Sequence, residues 1–565
     1  MAVRECSAIP AYRLNMQRPL APSMLLGRYS RDAHVRAREI EAEPLPANVA
    51  VLLSEAAAEV PERTALHFFE AGEVVTYADL QDLVRRAATG LARIGVEKGS
   101  HVGVMLPNIL AFPVAWLALA QLGAVMVPIN LQYTKREFDQ VVGDADIDFL
   151  VIDERCVDLL AQDEVGKAHF PDSRIVVRGA AGPGRHTWDS LAASFAEAPI
   201  ESAAVELDDP LNIQYTSGTT GMPKGCLLTH RYWLVQGKGN ATRDGVRYER
   251  ILASTPFYYM DPQWLVLMAF YQRATLYVAS RQSTSRYASL LKDRGIHFSL
   301  MPAEAMLKEP PNPHDGDNEV RRVNVYGLRR EAHAEVERRY CVNAREAYGM
   351  TELGSALSIP LDADEMTGSG SCGIHVPFRE CRIVDDEGRD VPSGEIGELV
   401  VRGPGIFHGY YGNLEATRQA FFGEWFRTGD LFRCDERGYF YLVGRLKEMI
   451  RRSSENIPAR EVELVLRAMP EIVEAAALPV PDPVRKEEVK VYVILRPGLT
   501  LSDVPPEAII EHARRSLAPF KIPRYVEYRT EFPRTASGKV RKPMLAAEKA
   551  DLRTDSWDRV DGTWR

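Results

Sequence analysis

The sequence predicts an α/β protein: a large N-terminal domain of parallel-sheet αβα subdomains with a small β subdomain, then a small α+β C-terminal domain. Three observations predict it. From Val49 to about Val205 helical and strand periods alternate, the pattern of parallel sheets covered by helices on both faces. From Arg382 to Val443 short β-like runs are broken by Gly394, Gly397, Gly403, Gly405, Gly409 and Gly412, as in a small β subdomain. Beyond Gly444-Arg445-Leu446-Lys447 the pattern becomes a helix near Arg460–Ala468, strands near Val473–Pro479 and Val489–Leu495, and a helix over about Pro506–Leu517. A chain of 565 residues exceeds what one hydrophobic core organises. The ranges expected are 1–48 for an N-terminal extension, 49–444 for the large domain, 447–545 for the small domain and 546–565 for a tail.

In chain order, the extension is rich in arginine (Arg4, Arg13, Arg18, Arg28, Arg31, Arg36, Arg38) but lacks the apolar core of a secretory signal. Glu5, Asp32, Glu39, Glu41 and Glu43 argue against a transit peptide, so it is read as a loosely ordered segment that packs on the main body. Thr76 and Asp79 form a capping box before Leu80, Leu83, Val84, Ala87, Leu91 and Ile94 at helical spacing, and Gly95 ends that helix. A strand follows at Val102–Leu106, a helix at Ala111–Leu122, a strand at Ala124–Pro128, a second capping box at Thr134 and Glu137, and a strand at Phe149–Ile152. The apolar run from Ala111 to Ile129 nears membrane length, but Pro113, Gln121, Gly123 and Pro128 interrupt it. It reads as a buried helix followed by a strand, and no transmembrane segment is expected.

Composition narrows the function. The net charge is -9, with 45% hydrophobic and 26% charged residues, and no basic stripe interleaved with aromatics marks a nucleic-acid surface. Seven cysteines without a C-x-x-C pair argue against a zinc site or a disulfide framework and point to a reducing, cytoplasmic location.

The richest stretch is Tyr215-Thr216-Ser217-Gly218-Thr219-Thr220-Gly221-Met222-Pro223-Lys224-Gly225, directly after a strand ending at Gln214. Glycines let backbone N–H groups turn inward, Thr216, Ser217, Thr219 and Thr220 add donors, and Lys224 adds positive charge, which together suit a polyphosphate. A polar surface loop is the plain alternative. The Walker spacing does not fit Gly218, Gly221 and Lys224, and no Ser or Thr follows the lysine.

Four later stretches carry chemistry of their own. Phe257, Tyr258, Tyr259 and Trp264, with Gln263 among them, form an aromatic cluster that is either core packing or a pocket wall, while Asp261 either caps a helix or enters that wall. Gly327 follows a strand, and Ala344–Ala347 leads as a strand into Tyr348-Gly349-Met350-Thr351-Glu352. There Tyr348 offers a face for adenine, Thr351 a hydroxyl and Glu352 a hard oxygen for magnesium. Thr428-Gly429-Asp430 is either a turn or a carboxylate for two hydroxyl donors. Lys539 in Pro533-Arg534-Thr535-Ala536-Ser537-Gly538-Lys539 sits on a Ser-Gly loop after a proline and by itself reads as part of a solvated basic tail.

These motifs, in this order from about Val49 to Met544, resemble the adenylate-forming (ANL) enzymes, the group of acyl-CoA synthetases, adenylation domains and firefly luciferase. The resemblance implies an ATP-dependent carboxylate–CoA ligase that forms an acyl-adenylate and then a thioester, using ATP, Mg2+ and coenzyme A. It implies that Thr216–Lys224 holds pyrophosphate, that Gly327, Tyr348, Gly349, Thr351, Asp430 and Arg445 bind the nucleotide, and that Glu352 holds the metal. Lys539 would bridge the substrate carboxylate and the α-phosphate, and Lys447 would be the hinge of a mobile small domain. Phe257, Tyr258, Tyr259, Gln263, Trp264, Ala347 and Gly349 would line the acyl pocket, with Tyr259 where a histidine commonly stands. The pairing of Asp261 with Gln263 resembles carnitine- and crotonobetaine-type ligases, so the expected acid is medium-chain, aryl, alicyclic or betaine-like. Ser453 and Ser454, before Glu455, replace the paired glycines common in the pantetheine tunnel. That departure leaves a stand-alone adenylating enzyme serving a carrier protein as the alternative; a homodimer is left open. A luciferase-like oxygenase and a non-catalytic scaffold on the same fold are the remaining alternatives.

Overall fold

In a computed structural model the structure describes residues 30–160, 170–193, 204–216, 224–453, 455–534 and 538–565. Residues 217–223 of the glycine-rich loop, residues 535–537, Ser454 and the first 29 residues lie outside them. The chain divides into two compact units, the first running to Thr216 and then covering Lys224–Glu380 and Arg402–Gln419, the second covering Cys381–Val401 and Ala420–Arg565.

The first unit holds two sheets. Its strands are β1 (Thr64–Phe68), β2 (Glu73–Thr76), β3 (His101–Met105), β4 (Val125–Pro128), β5 (Phe149–Asp153), β6 (Ile175–Arg178), β7 (His186–Thr187) and β8 (Pro210–Thr216). There follow β9 (Lys224–Thr229), β10 (Arg250–Ala253), β11 (Thr275–Val278), β12 (Phe298–Leu300), β13 (Arg322–Val325), β14 (Ala344–Met350), β15 (Gly354–Ser358) and β16 (Ile374–His375). One sheet has the order β7-β6-β5-β3-β4-β8-β9, parallel except for the β8–β9 hairpin. The other has the order β16-β15-β14-β13-β12-β10-β11-β1-β2, parallel at its centre and antiparallel at both margins.

Local chemistry sets these elements. Thr76 with Asp79 and Thr134 with Glu137 both form reciprocal capping boxes, each satisfying orphan amides at a helix start. In the Ala111–Leu122 helix every residue but Gln121 is buried, and Gly123 at φ +70 closes it in the left-handed conformation. Its apolar length is thus absorbed by packing on the Tyr77–Arg93 and Val49–Glu59 helices and on β4, each large side chain contributing roughly 1.5–3 kcal/mol. Among the described residues no helix is long and apolar enough to cross a membrane.

The described part of the extension is more ordered than the sequence suggests: Ala33–Ala42 is a helix capped by Asp32. Buried Arg36 donates from Nε to Arg243 O (2.6 Å) and from Nη1 to Ser30 O and Arg31 O. Lys238, 3% exposed, donates to Glu43 O (2.8 Å), and Ile40 joins Val235 and Phe378 in an apolar cluster.

In the second unit, β17 (Glu380–Val384), β18 (Gly397–Arg402), β19 (Phe421–Phe422), β20 (Trp425–Cys434) and β21 (Phe440–Arg445) form the predicted β layer. Its other sheet contains β22 (Met449–Arg452), β23 (Glu455–Pro458), β24 (Ile472–Asp482), β25 (Lys486–Leu495), β26 (Tyr525–Tyr528), β27 (Trp557–Asp558) and β28 (Thr563–Trp564). The helices Ala459–Arg467 and Pro506–Ser516 pack on it through Val462, Leu466, Ile509 and Ile510. The last residues, read as a tail, add β27 and β28 to this sheet.

Candidate active site

The flanks of the glycine-rich loop are the two strands of the β8–β9 hairpin. Thr216 pairs with Lys224 across it, so the loop springs from a fixed antiparallel base beside parallel β4. Ser217, Gly218, Thr219, Thr220 and Gly221 lie outside the described residues. The far side of β9 is covered by an irregular strand: Leu227 N–H donates to Gly409 O (3.0 Å), His408 N–H to Leu227 O (2.9 Å) and Tyr411 N–H to Gly225 O (2.8 Å).

This segment supplies a residue that the sequence reading did not name. The Lys224 ammonium sits 4.5 Å from the centre of the Tyr410 ring, a cation–π contact. Tyr410 Oη donates to Glu352 Oε1 (2.9 Å), and Tyr410 N–H is held by Thr417 Oγ1 (2.9 Å). Burial and the neighbouring Glu352 carboxylate raise the Tyr410 phenol far above its ordinary pKa, so it remains a donor. Glu352 itself is 7% exposed, and its carbonyl accepts from Phe407 N–H (2.7 Å). Only the Gly-Tyr-Tyr-Gly run at 409–412 signals Tyr410 in sequence.

Tyr348 and Gly349 lie within β14 rather than in a loop after it, because β14 continues through Met350 by pairing with β15. The turn begins at Thr351, whose carbonyl accepts from Tyr232 Oη (2.9 Å). Gly349 is needed there, since a Cβ would stand 2.3 Å from Gly354 O. Gly327 follows β13 at φ +68, and its N–H donates to the Glu346 carboxylate, which also accepts from Leu328 N–H (3.3 Å). Glu346, another residue missed in sequence, therefore ties Gly327 to the strand bearing Ala347 and Tyr348.

The aromatic cluster divides into two roles. Phe257 is fully buried, stacked on Phe112 with centroids 5.4 Å apart, and its N–H donates to Asn108 Oδ1 (2.8 Å). Tyr258 and Tyr259 are half-buried neighbours with centroids 4.8 Å apart, and burial raises the Tyr258 phenol to about 12. Gln263 is locked in a buried amide chain: it accepts from Asn212 Nδ2 (2.9 Å) and donates to Phe257 O (3.0 Å), while Asn212 accepts from Trp116 Nε1 (3.0 Å). Trp264 is 2% exposed and donates from Nε1 to Asp261 Oδ1 (3.1 Å). Burial raises the Asp261 pKa, and no cationic side chain is in ion-pair contact with it among the described residues. The same carboxylate acts on the phenol of Tyr326, a half-exposed ring between Val325 and Gly327.

In the second unit, Asp430 is 3% exposed and pairs with Arg445 Nε at 2.8 Å, the two being register partners of β20 and β21. Thr428 Oγ1 donates to Leu399 O (2.7 Å) and accepts from Asp430 N–H (3.1 Å), fixing that carboxylate's strand. Lys447 is exposed in a 3-10 turn over Leu446–Glu448. Ser453 is exposed with φ +59, a left-handed backbone that favours glycine; the side chain of Glu455 is outside the described set. Lys539 is exposed next to Gly538, whose carbonyl accepts from Arg534 Nη1 (2.9 Å).

Of the residues expected at the site, the first unit brings Thr216, Lys224 and Glu352 into one connected group, and the second brings Asp430 and Arg445 together. Glu352 suits magnesium, which takes one or two protein carboxylates and fills its shell with phosphate oxygens and water. A hairpin base, a lysine and the buried carboxylate of Glu352 on a parallel α/β scaffold suit a nucleotide-binding enzyme. The chain belongs to the AMP-binding enzyme family, whose model matches residues 53–411, and the model of the AMP-binding enzyme C-terminal domain matches residues 461–539. The crotonobetaine/carnitine–CoA ligase of Salmonella paratyphi A is 30% identical over 502 residues, covering 86% of this chain and 96% of that protein. ATP-bound MatB from Rhodopseudomonas palustris is 26% identical with TM-score 0.78, over 88% of this chain and 98% of that one. O-succinylbenzoate coenzyme A synthetase from Bacillus subtilis, solved with ATP and magnesium, shares the fold at TM-score 0.75 and 24% identity, over 88% and 99% of the two chains.

Proposed function

We propose that this protein is an ATP-dependent carboxylate–CoA ligase that forms an acyl-adenylate and then an acyl-CoA thioester. The observation that carries the reading is the linked group Lys224–Tyr410–Glu352 at the base of the glycine-rich loop. The substrate carboxylate attacks the α-phosphorus of ATP and pyrophosphate leaves. Two anions meet in that step, so positive charge must be concentrated where the transition state forms. Thr216, Lys224 and the loop between them hold the departing pyrophosphate, and Lys539 neutralises the carboxylate and α-phosphate. Glu352 would hold a magnesium ion, which would supply further charge cancellation there. Tyr348, Gly349, Thr351 and Gly327 seat the adenine end, and Asp430 with Arg445 the ribose. The thiol of coenzyme A then displaces AMP, and Lys447 is the pivot that exchanges the small domain's role between the steps.

The acid is read as betaine-like, because Asp261 is a half-buried carboxylate beside Trp264 without a cationic partner among the described residues. Tyr258, Tyr259 and Trp264 supply apolar and aromatic wall, while Phe257 and Gln263 hold that wall from behind. A cytoplasmic location fits the free cysteines. Coenzyme A is preferred over a carrier protein as acceptor.

A pyrophosphate-release assay with cationic, alkyl and aryl acids, run with and without coenzyme A, tests the reading. Release with at least one acid and thioester formation with coenzyme A are expected; no release with any acid in the presence of ATP and magnesium would overturn it. Lys539→Ala should abolish adenylate formation yet spare thioester formation from supplied adenylate.

A further inference from the structure

The turn at Thr255–Tyr259, beyond the end of β10, is held by buried side-chain amides. Asn108, 7% exposed and just past the end of β3, donates from Nδ2 to Thr255 O (2.9 Å) and Ala279 O (3.0 Å) and accepts from Phe257 N–H (2.8 Å). Gln263, fully buried in the Met260–Gln272 helix that follows, donates to Phe257 O (3.0 Å) and Tyr259 O (3.2 Å). Gln214 of β8, 3% exposed, donates from Nε2 to Tyr258 O (2.7 Å), while its Oε1 lies 3.4 Å from Gln263 Nε2. A buried amide that loses its partner costs about 1–3 kcal/mol, so these bonds hold the turn in one shape.

The bond from Gln214 differs from the others in what it connects. β3 and β8 belong to one sheet and β10 to the other, so Asn108 and Gln214 both reach from sheet to sheet. The ends they join are carboxyl ends of strands, where parallel α/β sheets hold ligands. Gln214 also precedes Thr216 by two residues, and residues i and i+2 of a strand present their side chains on one face. At the usual rise of a strand the two stand roughly 7 Å apart along β8. One end of this short path is the base of the glycine-rich loop, where Thr216 pairs with Lys224. The other is the backbone of Tyr258, whose ring centre lies 4.8 Å from that of Tyr259.

Resting on the ligase reading above, in which Tyr258 and Tyr259 line the acyl pocket and Thr216 contacts pyrophosphate, we propose that Gln214 is a positioning residue for adenylate formation. It acts through the wall and not on the reacting atoms. Its amide sets the spacing between the tyrosines and the base of the phosphate loop, so that an acid seated on the wall presents its carboxylate to the α-phosphorus at attack range. A misplacement of about 1 Å in such an alignment can cost about a hundredfold in rate. Asn108 anchors the start of the same turn, so loss of the Gln214 bond frees Tyr258 without releasing Phe257.

The test compares the full chain with Gln214→Met, which keeps the side chain's length and removes the donor. Ile213→Val is the control: the next residue of β8, on the opposite face, trimmed within its apolar cluster. Two readouts are taken with the panel of cationic, alkyl and aryl acids: kcat and the KM values of acid and ATP in pyrophosphate release, and the shift in unfolding temperature caused by each acid in the presence of AMP. With the best acid, Gln214→Met should lower kcat by about tenfold or more while the KM for ATP changes by less than about twofold, and Ile213→Val should leave kcat unaltered. An unaltered kcat in Gln214→Met, a KM for ATP that rises as kcat falls, or an equal loss in Ile213→Val overturns the positioning role and leaves the ligase reading intact. If the full chain turns over no acid, the ligase reading fails and the thermal shift decides. An acid-dependent shift that Gln214→Met removes then supports Gln214 as the residue that sets the wall, whereas a shift that survives the substitution, or none with any acid, overturns that role too.

Discussion

Tyr410 Oη donates to Glu352 Oε1 at 2.9 Å while its ring lies beneath the Lys224 ammonium. One side chain thereby orients both the carboxylate read as the magnesium ligand and the lysine read as a pyrophosphate contact. Tyr410→Phe keeps the ring and deletes the donor, leaving a buried carboxylate short of a hydrogen bond, a change of about 1–3 kcal/mol. The expected result is a kcat/KM for ATP lowered by roughly tenfold or more, with saturation at higher magnesium. A magnesium titration of pyrophosphate release checks it, and an unchanged titration curve would mean that Tyr410 only packs.

Asp261→Asn replaces a half-buried carboxylate with its amide isostere and keeps the bond from Trp264. If Asp261 receives a cationic acid, kcat/KM for quaternary-ammonium acids should fall by roughly tenfold or more, and that for neutral isosteres should rise. Competition between the two substrates in one assay reads the switch directly.

Burial depresses the pKa of His230 to about 4, and its Nδ1 accepts from Val49 N–H (3.2 Å). The unfolded chain binds this proton near pH 6.5, whereas the folded chain resists it down to about pH 4. Stability from this group is therefore complete above the unfolded value and is lost as pH falls across that window, by about 3 kcal/mol at most. His230→Gln, which retains an acceptor, should flatten the acid limb of stability measured by urea unfolding between those pH values.

Ser453 holds φ +59, where an L-residue pays roughly 1–2 kcal/mol that glycine avoids, less the entropy glycine adds to the unfolded chain. Ser453→Gly should raise stability by about 0.5–1 kcal/mol, read as a shift of the denaturant midpoint. A lower midpoint would mean that the serine hydroxyl contributes more than the backbone strain removes.

Much of the architecture was legible because its determinants are local. The capping boxes at Thr76 and Thr134, the glycine stop at Gly123 and the alternating periods each announce an element within a few residues of chain. The strand through Tyr348 and Gly349 was harder, since its length depends on pairing with β15. Tyr410 and Glu346 were not marked in sequence for a stronger form of the same reason. Each acquires its meaning from partners brought by tertiary contact, such as the bridge between Cys226 and Tyr410. The aromatic run at 257–264 shows the reverse limit: sequence marks the cluster, but only packing separates the buried Phe257 and Gln263 from the half-buried Tyr258 and Tyr259.

The helix Ala33–Ala42 precedes residue 53, where the match to the family model begins. It nevertheless gives Lys238 two carbonyl ligands at Glu43 and Pro44, gives Phe378 N–H an acceptor at Glu41, and braces Arg243 through Arg36. A chain trimmed to the family boundary would strip an interior cation of its solvation and open the apolar seam at Val235. The packed body of the first unit thus extends N-terminal of the stretch that the family model matches.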